Sequence, residues 1–190
     1  ITSIANLICE YRPNPLGIDV TAPRLGWQMQ SDRRGAYQTG YRILVATSKT
    51  ALADSRELLW DSGKIETDQS TQVVYRGPTF VAGQQVYWKV RVWNEVGQTA
   101  ESAPAWWEMG LLDSSNWQAD WITHNPLILD RDADAIVPSE TEPGTAPMFH
   151  RSFDIGVASC TEIRRATLYA TACGLLDLWL NGRRVTADKF

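Results

Sequence analysis

Hydrophobic and polar residues alternate along most of this 190-residue chain, which is the pattern of β-strands. In the clearest case Val86, Trp88, Val90 and Val92 would share one face of a strand that ends at Asn94. Shorter predicted strands, separated by turn-forming residues, are Arg24–Gln30, Tyr41–Ala46, Leu58–Ser62, Thr71–Tyr75 and Thr99–Met109, the last interrupted by Pro104. Short strands at such spacing predict a β-sandwich of about 100 residues.

Residues 80–97 resemble the end of a fibronectin type III domain, with an alternating strand, an Asn and a Gly shortly afterwards. Trp27 stands where that fold has the core Trp of its second strand. The usual tyrosine-corner position holds Val86, with Tyr87 beside it. We therefore expect the strand to form without the usual corner hydrogen bond.

The chain changes character after this domain. Ser114 or Ser115 is expected to cap a short helical turn, and Trp117 and Trp121 would share one face of a helix. We interpret these residues as a hydrophobic hinge between two domains. Residues 124–147 contain four Pro and many acids, and are expected to form a long surface loop.

Strands are predicted again after this loop, at Met148–Ile155, Ala166–Thr171 and Leu175–Leu180. Asn181-Gly182 is a strong two-residue hairpin signal, so a return strand is expected from Arg183. Because the chain stops within this pattern, we expect the second β-domain to be incomplete. The predicted organisation is a sandwich over 1–110, a Trp-rich hinge over 111–123, a Pro- and acid-rich loop over 124–147 and the start of a second β-domain over 148–190.

Composition excludes several classes of protein. The net charge is −4 with no basic run, so nucleic-acid binding is not expected. No apolar stretch approaches the roughly 18 residues of a membrane span. Three widely spaced cysteines, Cys9, Cys160 and Cys173, are expected to be buried free thiols. The predicted compartment is the cytoplasm, with secretion left open because the first residue is Ile rather than Met.

No catalytic, cofactor-binding or metal-binding residue is predicted. Glu66 and Asp68 are interpreted as solvated surface acids, and His124 and His150 lack partners at metal-ligand spacing. The acids of residues 130–134 resemble the start of a calcium loop but lack its Gly and its final Glu. The sequence contains no Gly-x-Ser-x-Gly elbow and no phosphate or dinucleotide loop.

Nine tryptophans are many for a chain of this size, and an indole ring can stack on the apolar face of a sugar. Most are expected to fill the core. Trp93, Trp106 and Trp107 have two open interpretations. They form either an exposed sugar platform or, as we favour, a buried seal between domains.

Six stretches in order resemble the N-terminal region of bacterial α-L-rhamnosidases, glycoside hydrolase family seventy-eight. They include Leu-Trp-Asp-Ser-Gly, Tyr-Trp-Lys-Val-Arg-Val-Trp and Trp-Gln-Ala-Asp-Trp-Ile. The stretches are residues 7–27, 38–45, 59–63, 87–93, 108–122 and 165–185.

This resemblance implies a modular enzyme. A fibronectin-like domain over 1–110 and a jelly roll, incomplete here, that begins at 148–190 would precede an (α/α)6 barrel that removes terminal α-L-rhamnose from glycosides with inversion. The loop of residues 124–147 would reach towards this barrel. Two carboxylates of the barrel, about 6.5–9.5 Å apart, would carry out that reaction. No stretch of this chain matches the barrel. The chain is therefore expected to be an accessory region whose partner is the barrel of the same polypeptide.

Two other interpretations stay open. A stand-alone carbohydrate-binding or adhesion module would expose a Trp platform and bind a glycan without a barrel. A β-galactosidase-like hydrolase would share the jelly roll but not the motifs of the first domain.

Overall fold

The computed structural model describes residues 2–122, 147–156, 163 and 165–185. The chain divides into two compact units, Ile1–Ile122 and Thr123–Phe190. Each unit is considered by itself. Among the described residues, no helix has the length and apolar character needed to cross a membrane.

The first unit is a sandwich of two antiparallel sheets. One sheet has the strand order β1-β2-β5, and the other has the order β4-β3-β6-β7, with β8 pairing further along β6. Its strands are β1 Thr2–Cys9, β2 Arg24–Ser31, β3 Gln38–Ala46, β4 Trp60–Asp61, β5 Val73–Val74, β6 Gln85–Asn94, β7 Thr99–Glu101 and β8 Ala105–Glu108. The predicted all-β sandwich is confirmed.

Strand β6 is the centre of the larger sheet, and its alternation is as predicted. Val86, Trp88, Val90 and Val92 are at most 1% exposed and face the other sheet across the core. Trp27 of β2 lies in the same core at 1% exposure. Strand β6 can therefore be buried on its inner face and carry polar groups on its outer face.

The buried side chain of Gln38 connects the two sheets. Its Oε1 accepts a hydrogen bond from Trp27 Nε1 at 2.8 Å, so β3 is joined to β2. Its Nε2 donates to the carbonyl oxygens of Thr67 and Gln69 at 3.2 and 2.9 Å. One amide thus satisfies three polar groups and fixes the segment that leads from β4 to β5.

The predicted interruption at Pro104 separates β7 from β8. Proline has no backbone N–H to donate, so where it interrupts the edge strand the backbone of β6 needs another hydrogen-bonding partner. Buried Ser102 supplies it. Its hydroxyl accepts from the N–H of Val90 at 3.1 Å, and its own N–H donates to the Val90 carbonyl at 2.9 Å.

The sequence prediction missed strand β1 and a short helix. In β1 the register shifts between Ala5 and Ile8, and Asn6 has a φ of 51°, so alternation is broken at a bulge. Helix α1, Lys49–Asp54, has only six residues, too few to show a helical period. Ser48 caps it by accepting a hydrogen bond from Ala51 N.

The turn after the sandwich is capped differently from the prediction. A 3-10 turn covers Ser114–Asn116, and its N-cap is Asp113 rather than Ser114 or Ser115. Asp113 and Asn116 hydrogen-bond each other's backbone as a capping box, which fixes the start of the turn one residue earlier. Trp117 and Trp121 are 38% and 64% exposed. The hinge role of 111–123 stays a prediction.

In the second unit only the hairpin prediction is confirmed. Strands β9 Trp179–Leu180 and β10 Arg183–Arg184 pair across Asn181-Gly182, both with positive φ. The predicted strands Met148–Ile155 and Ala166–Thr171 are not strands in the described residues, and Leu175–Leu180 is reduced to β9. Apolar sequence alone does not make a strand, because its backbone also needs a hydrogen-bonding neighbour.

Replacing Gln38 with Leu tests the amide bridge. The substitution keeps a similar side-chain size but leaves the Trp27 indole N–H and two carbonyls without their partner. We expect the free energy of unfolding of the 190-residue chain to fall by about 3 kcal/mol or more. Urea titration followed by Trp fluorescence measures this change. Gln30→Leu, at an exposed position of β2, is the control and should change it by less than about 0.5 kcal/mol. Equal effects of the two variants would contradict the bridge.

Candidate functional site

A cleft of about 420 Å³ opens between the edges of the two sheets in the first unit. It lies where the chain passes from β4 to β5. Its lining combines aromatic, amide, hydroxyl and cationic side chains with aliphatic ones. The lining residues are Tyr41, Trp60, Ser62, Ile65, Gln69, Gln72, Val73, Val74 and Arg76.

One wall of the cleft is held by backbone hydrogen bonds. Ile65 exchanges two of them with Tyr41, at 2.8 and 2.9 Å, and so extends the larger sheet. Ser70 accepts from Trp27 N of the smaller sheet at 2.9 Å. Between these points the Gln38 amide holds residues 67 and 69. The wall is therefore fixed to both sheets.

The other wall follows β5 and is fixed by Tyr75. The Tyr75 hydroxyl donates to the Pro78 carbonyl at 3.1 Å, and its ring packs edge-on against Trp60 at 4.9 Å. At Gly77 a Cβ would lie 2.7 Å from Trp60 Cβ and still nearer the Tyr75 hydroxyl, so only glycine fits. The chain bends at Gly77, within the predicted Arg76-Gly77-Pro78 turn. It also sets Arg76 at the cleft.

Polar side chains give the cleft its chemistry. The Gln69 amide nitrogen donates to the Thr71 carbonyl at 3.0 Å. Gln72 is exposed and has a φ of 53°, an uncommon backbone state for a side chain of this size. Burial raises the pKa of Tyr41, and the positive charge of Arg76 partly opposes that rise. Arg76 therefore acts electrostatically on the cleft.

A second cleft of about 310 Å³ also has Gln72 in its lining. Its cation is Arg24, whose guanidinium bonds Glu10 at 2.6 Å and lies over the Tyr11 ring at 4.9 Å. The hydrogen bond from Arg24 holds the pKa of Glu10 below its ordinary value. This cation is thus neutralised within the protein.

The three candidate tryptophans do not form one surface. Trp107 is fully buried and packs against Phe80 at 5.6 Å, so it belongs to the core and is neither platform nor seal. Trp106 pairs with Tyr87, whereas Trp93 lies six residues further along β6, roughly 20 Å away. Both are only half-buried. Successive residues of a β-strand point to opposite faces of the sheet, so Trp106 and Trp107 cannot contribute to the same surface.

Charged residues on the outer face of the larger sheet form a paired row. Arg42 and Arg91 lie directly opposite each other, an arrangement that repulsion would destabilise. Asp61 accepts from Arg42 at 2.8 Å on one side. Glu101 binds Arg91 at 2.7 Å and Lys89 at 2.8 Å on the other. The edge strands thus neutralise the cations of the central strands.

The pKa of Glu101 reflects this neutralisation. Burial would raise it, but hydrogen bonds and charges from Lys89 and Arg91 outweigh burial and hold it below its ordinary value. The Lys89 side chain is only 9% exposed, so this cation depends on its carboxylate more than a surface lysine does.

The remaining residues singled out in the sequence are dispersed. Cys9 is a buried free thiol whose pKa burial raises to about 12, with the charge of Glu10 adding to the rise. Cys173 is free but exposed, which corrects the prediction of burial, because its segment has no packed neighbour strand. Glu66 and Asp68 are exposed, as expected, and Glu66 bonds Lys64 at 3.3 Å.

His150 is exposed. The described residues contain no group of His, Cys, Asp and Glu that could hold a metal ion. Cys160, His124 and the acids of 130–134 lie outside the described residues.

The fold and the paired outer face define an immunoglobulin-like β-sandwich domain. The family profile for the Rha78A-like N-terminal immunoglobulin domain matches residues 4–113. The chain belongs to the α-L-rhamnosidase family and corresponds to its N-terminal part.

Individual relatives agree with this assignment. An α-L-rhamnosidase of Streptomyces avermitilis is 37% identical over 182 residues, which is 93% of this chain but 18% of that protein. One from Formosa agariphila is 31% identical over 192 residues, covering 94% of this chain and 19% of that protein. The crystal structure of the Streptomyces avermitilis enzyme with L-rhamnose superposes with a TM-score of 0.62 at 37% identity, covering 67% of this chain and 12% of that one. The chain thus spans about a fifth of the length of these relatives.

Replacing Glu101 with Gln tests the paired row. The buried Lys89 loses its counter-charge, and because Glu101 itself is partly exposed we expect a loss of unfolding free energy on the order of 1–2 kcal/mol at pH 7, between the values for surface and buried pairs. A lowered folded-state pKa stabilises the fold above the ordinary pKa of 4.5, and this stabilisation is lost as pH falls through the folded-state value. The difference in unfolding free energy between the wild type and the variant should therefore be smaller in urea titrations at pH 3 than at pH 7.

Glu66→Gln is the matched control for this row. Its carboxylate is 81% exposed and pairs with Lys64, so we expect less than about 0.5 kcal/mol at either pH. A difference for Glu101→Gln that stays constant between pH 7 and pH 3 would contradict the electrostatic explanation.

Proposed function

We propose that this chain is the N-terminal accessory region of an enzyme that releases terminal α-L-rhamnose from glycosides by inverting hydrolysis. The observation that carries the proposal is the similarity to α-L-rhamnosidases along 93% of the chain, within only 18% of the relative's length. In this proposal the parent polypeptide also contains an (α/α)6 catalytic barrel. Rhamnose-containing glycosides are its substrates.

The carboxylates of the described domain support a structural rather than a catalytic role. A general acid needs a pKa raised towards the working pH. The pKa values of Glu10, Asp61 and Glu101 are instead lowered, each through hydrogen bonds from a neighbouring cation. We therefore assign proton transfer to the barrel and support of the barrel to this sandwich.

We also propose a cytoplasmic location for the parent enzyme. Cys9 and Cys173 are free, the cysteine number is odd, and the sequence has no Asn-x-Ser/Thr site. Cell fractionation with an antibody to this chain tests this assignment. Recovery of the protein in the culture medium would overturn it.

The function is tested on the full gene product. We expect an intact mass several times the 21.3 kDa of this chain and hydrolysis of an aryl α-L-rhamnoside. Inversion predicts β-L-rhamnose as the first product, which NMR detects before mutarotation. A gene product close to 21.3 kDa, or a large one inactive on α-L-rhamnosides, would overturn the proposal.

The supporting role is tested in the same enzyme with Gln38→Leu. The variant should inactivate at a lower temperature, while kcat and KM at 25 °C stay within about twofold of wild type, a difference of less than about 0.5 kcal/mol. Gln30→Leu should match the wild type both in inactivation temperature and in kcat and KM. A changed KM with unchanged thermal stability would assign the domain to substrate binding instead.

A further inference from the structure

We propose that the cleft between β4 and β5 is a carbohydrate-binding subsite for a sugar unit that carries a carboxylate. This inference goes beyond hydrolysis of rhamnosides and is independent of it, since binding by this chain needs no barrel.

The size and rigidity of the cleft suit a small ligand. Its volume of about 420 Å³ lies within the range of roughly 300–1,000 Å³ for small-molecule sites. One wall is held by the backbone bonds of Ile65 and the Gln38 amide, and the other by the Tyr75–Pro78 hydrogen bond. A fixed site loses little conformational entropy when a ligand binds.

The aromatic side chains give the cleft a surface for the apolar face of a pyranose. Trp60 is half-buried and lines the cleft, with its ring orientation set by Tyr75. A rigid indole with one side in a cleft can pack against sugar C–H groups while keeping its position. Tyr41, beneath it, is almost fully buried and forms the floor.

The amide side chains provide partners for hydroxyl groups. Gln69 uses its amide nitrogen for the Thr71 carbonyl, which leaves its carbonyl oxygen as an acceptor. Gln72 is exposed at the rim and offers both donors and an acceptor. Sugar hydroxyl groups donate and accept, so this combination matches them.

Arg76 selects for a carboxylate. Arg24, Arg42 and Arg91 each bind a carboxylate of the protein. Arg76 lines the cleft, is exposed and pairs with no acid among the residues that the structure describes. A guanidinium binds a carboxylate through two parallel hydrogen bonds, which adds both affinity and orientation.

Binding is tested by NMR titration of the ¹⁵N-labelled 190-residue chain with oligogalacturonic acid. Its methyl ester is the matched ligand control, because it differs only in charge. We expect the acid to shift the Trp60 indole and the Gln69 and Gln72 amide signals at millimolar concentration, and the ester to bind about tenfold more weakly. No shift with either ligand, or equal affinity for both, would overturn the proposal.

Variants separate the cleft from general surface charge. Arg76→Gln should weaken binding of the acid about tenfold and leave that of the ester unchanged. Arg56→Gln, at an exposed arginine just after helix α1, should change neither. An equal loss in both variants would indicate diffuse attraction and contradict the site. Binding of sodium acetate as strong as that of the oligosaccharide would contradict recognition of the sugar ring.

Discussion

The buried amide of Gln38 is the interaction on which the first unit depends most. It accepts from the Trp27 indole in one sheet, belongs to β3 in the other, and donates to two carbonyls of the segment between β4 and β5. A sandwich is held mainly by apolar contact between its faces, which is non-directional. This polar bridge adds a fixed relation between the sheets. Because the Trp27 indole and the Gln38 amide are both buried, a shift of one sheet against the other would leave these polar groups unsatisfied.

The same bridge determines where the candidate site lies. Residues 65–72 leave the larger sheet at Ile65, are held by Gln38 in the middle, and reach the smaller sheet at Ser70. A path anchored at three points lies rigidly across the open side of the sandwich. The cleft next to it is therefore a consequence of the fold, and Trp60 and Arg76 both line it.

The alternation of apolar and polar residues was enough to predict the fold. The prediction was most accurate for strands with one face in the core and the other on the surface. Strand β6 is the clearest case. Its core face carries Val86, Trp88, Val90 and Val92, and its outer face carries Lys89 and Arg91. It failed at β1, where the bulge at Asn6 breaks the period, and at helix α1, which is shorter than two turns. It also predicted strands over 148–155 and 166–171, where strand pairing is needed and none is described.

The candidate cleft was not predictable in the same way. Its residues come from β3, β4, β5 and the segment between, and only the three-dimensional crossing brings Tyr41 near Arg76. The sequence did indicate the turn at Gly77-Pro78 and the β propensity around Val73. It gave no sign that Arg76 would have no carboxylate partner among the described residues, while Arg24, Arg42 and Arg91 each have one. Whether an arginine has a carboxylate partner depends on which residues the fold brings near it, not on its neighbours in the sequence.

The distribution of tryptophan and charge explains how one domain can serve both support and recognition. Trp27, Trp88 and Trp107 are at most 1% exposed and hold the core, so they are unavailable to ligands. Arg42 and Arg91 are likewise unavailable, because on the outer face of the larger sheet they pair with Asp61 and Glu101, which offset their mutual repulsion. Trp60 and Arg76, by contrast, both line the cleft, where Trp60 is half-buried and Arg76 is exposed. Gln38 serves both roles, because one amide joins the two sheets and fixes a wall of the cleft, so the stability of the domain and the shape of the site depend on the same hydrogen bonds.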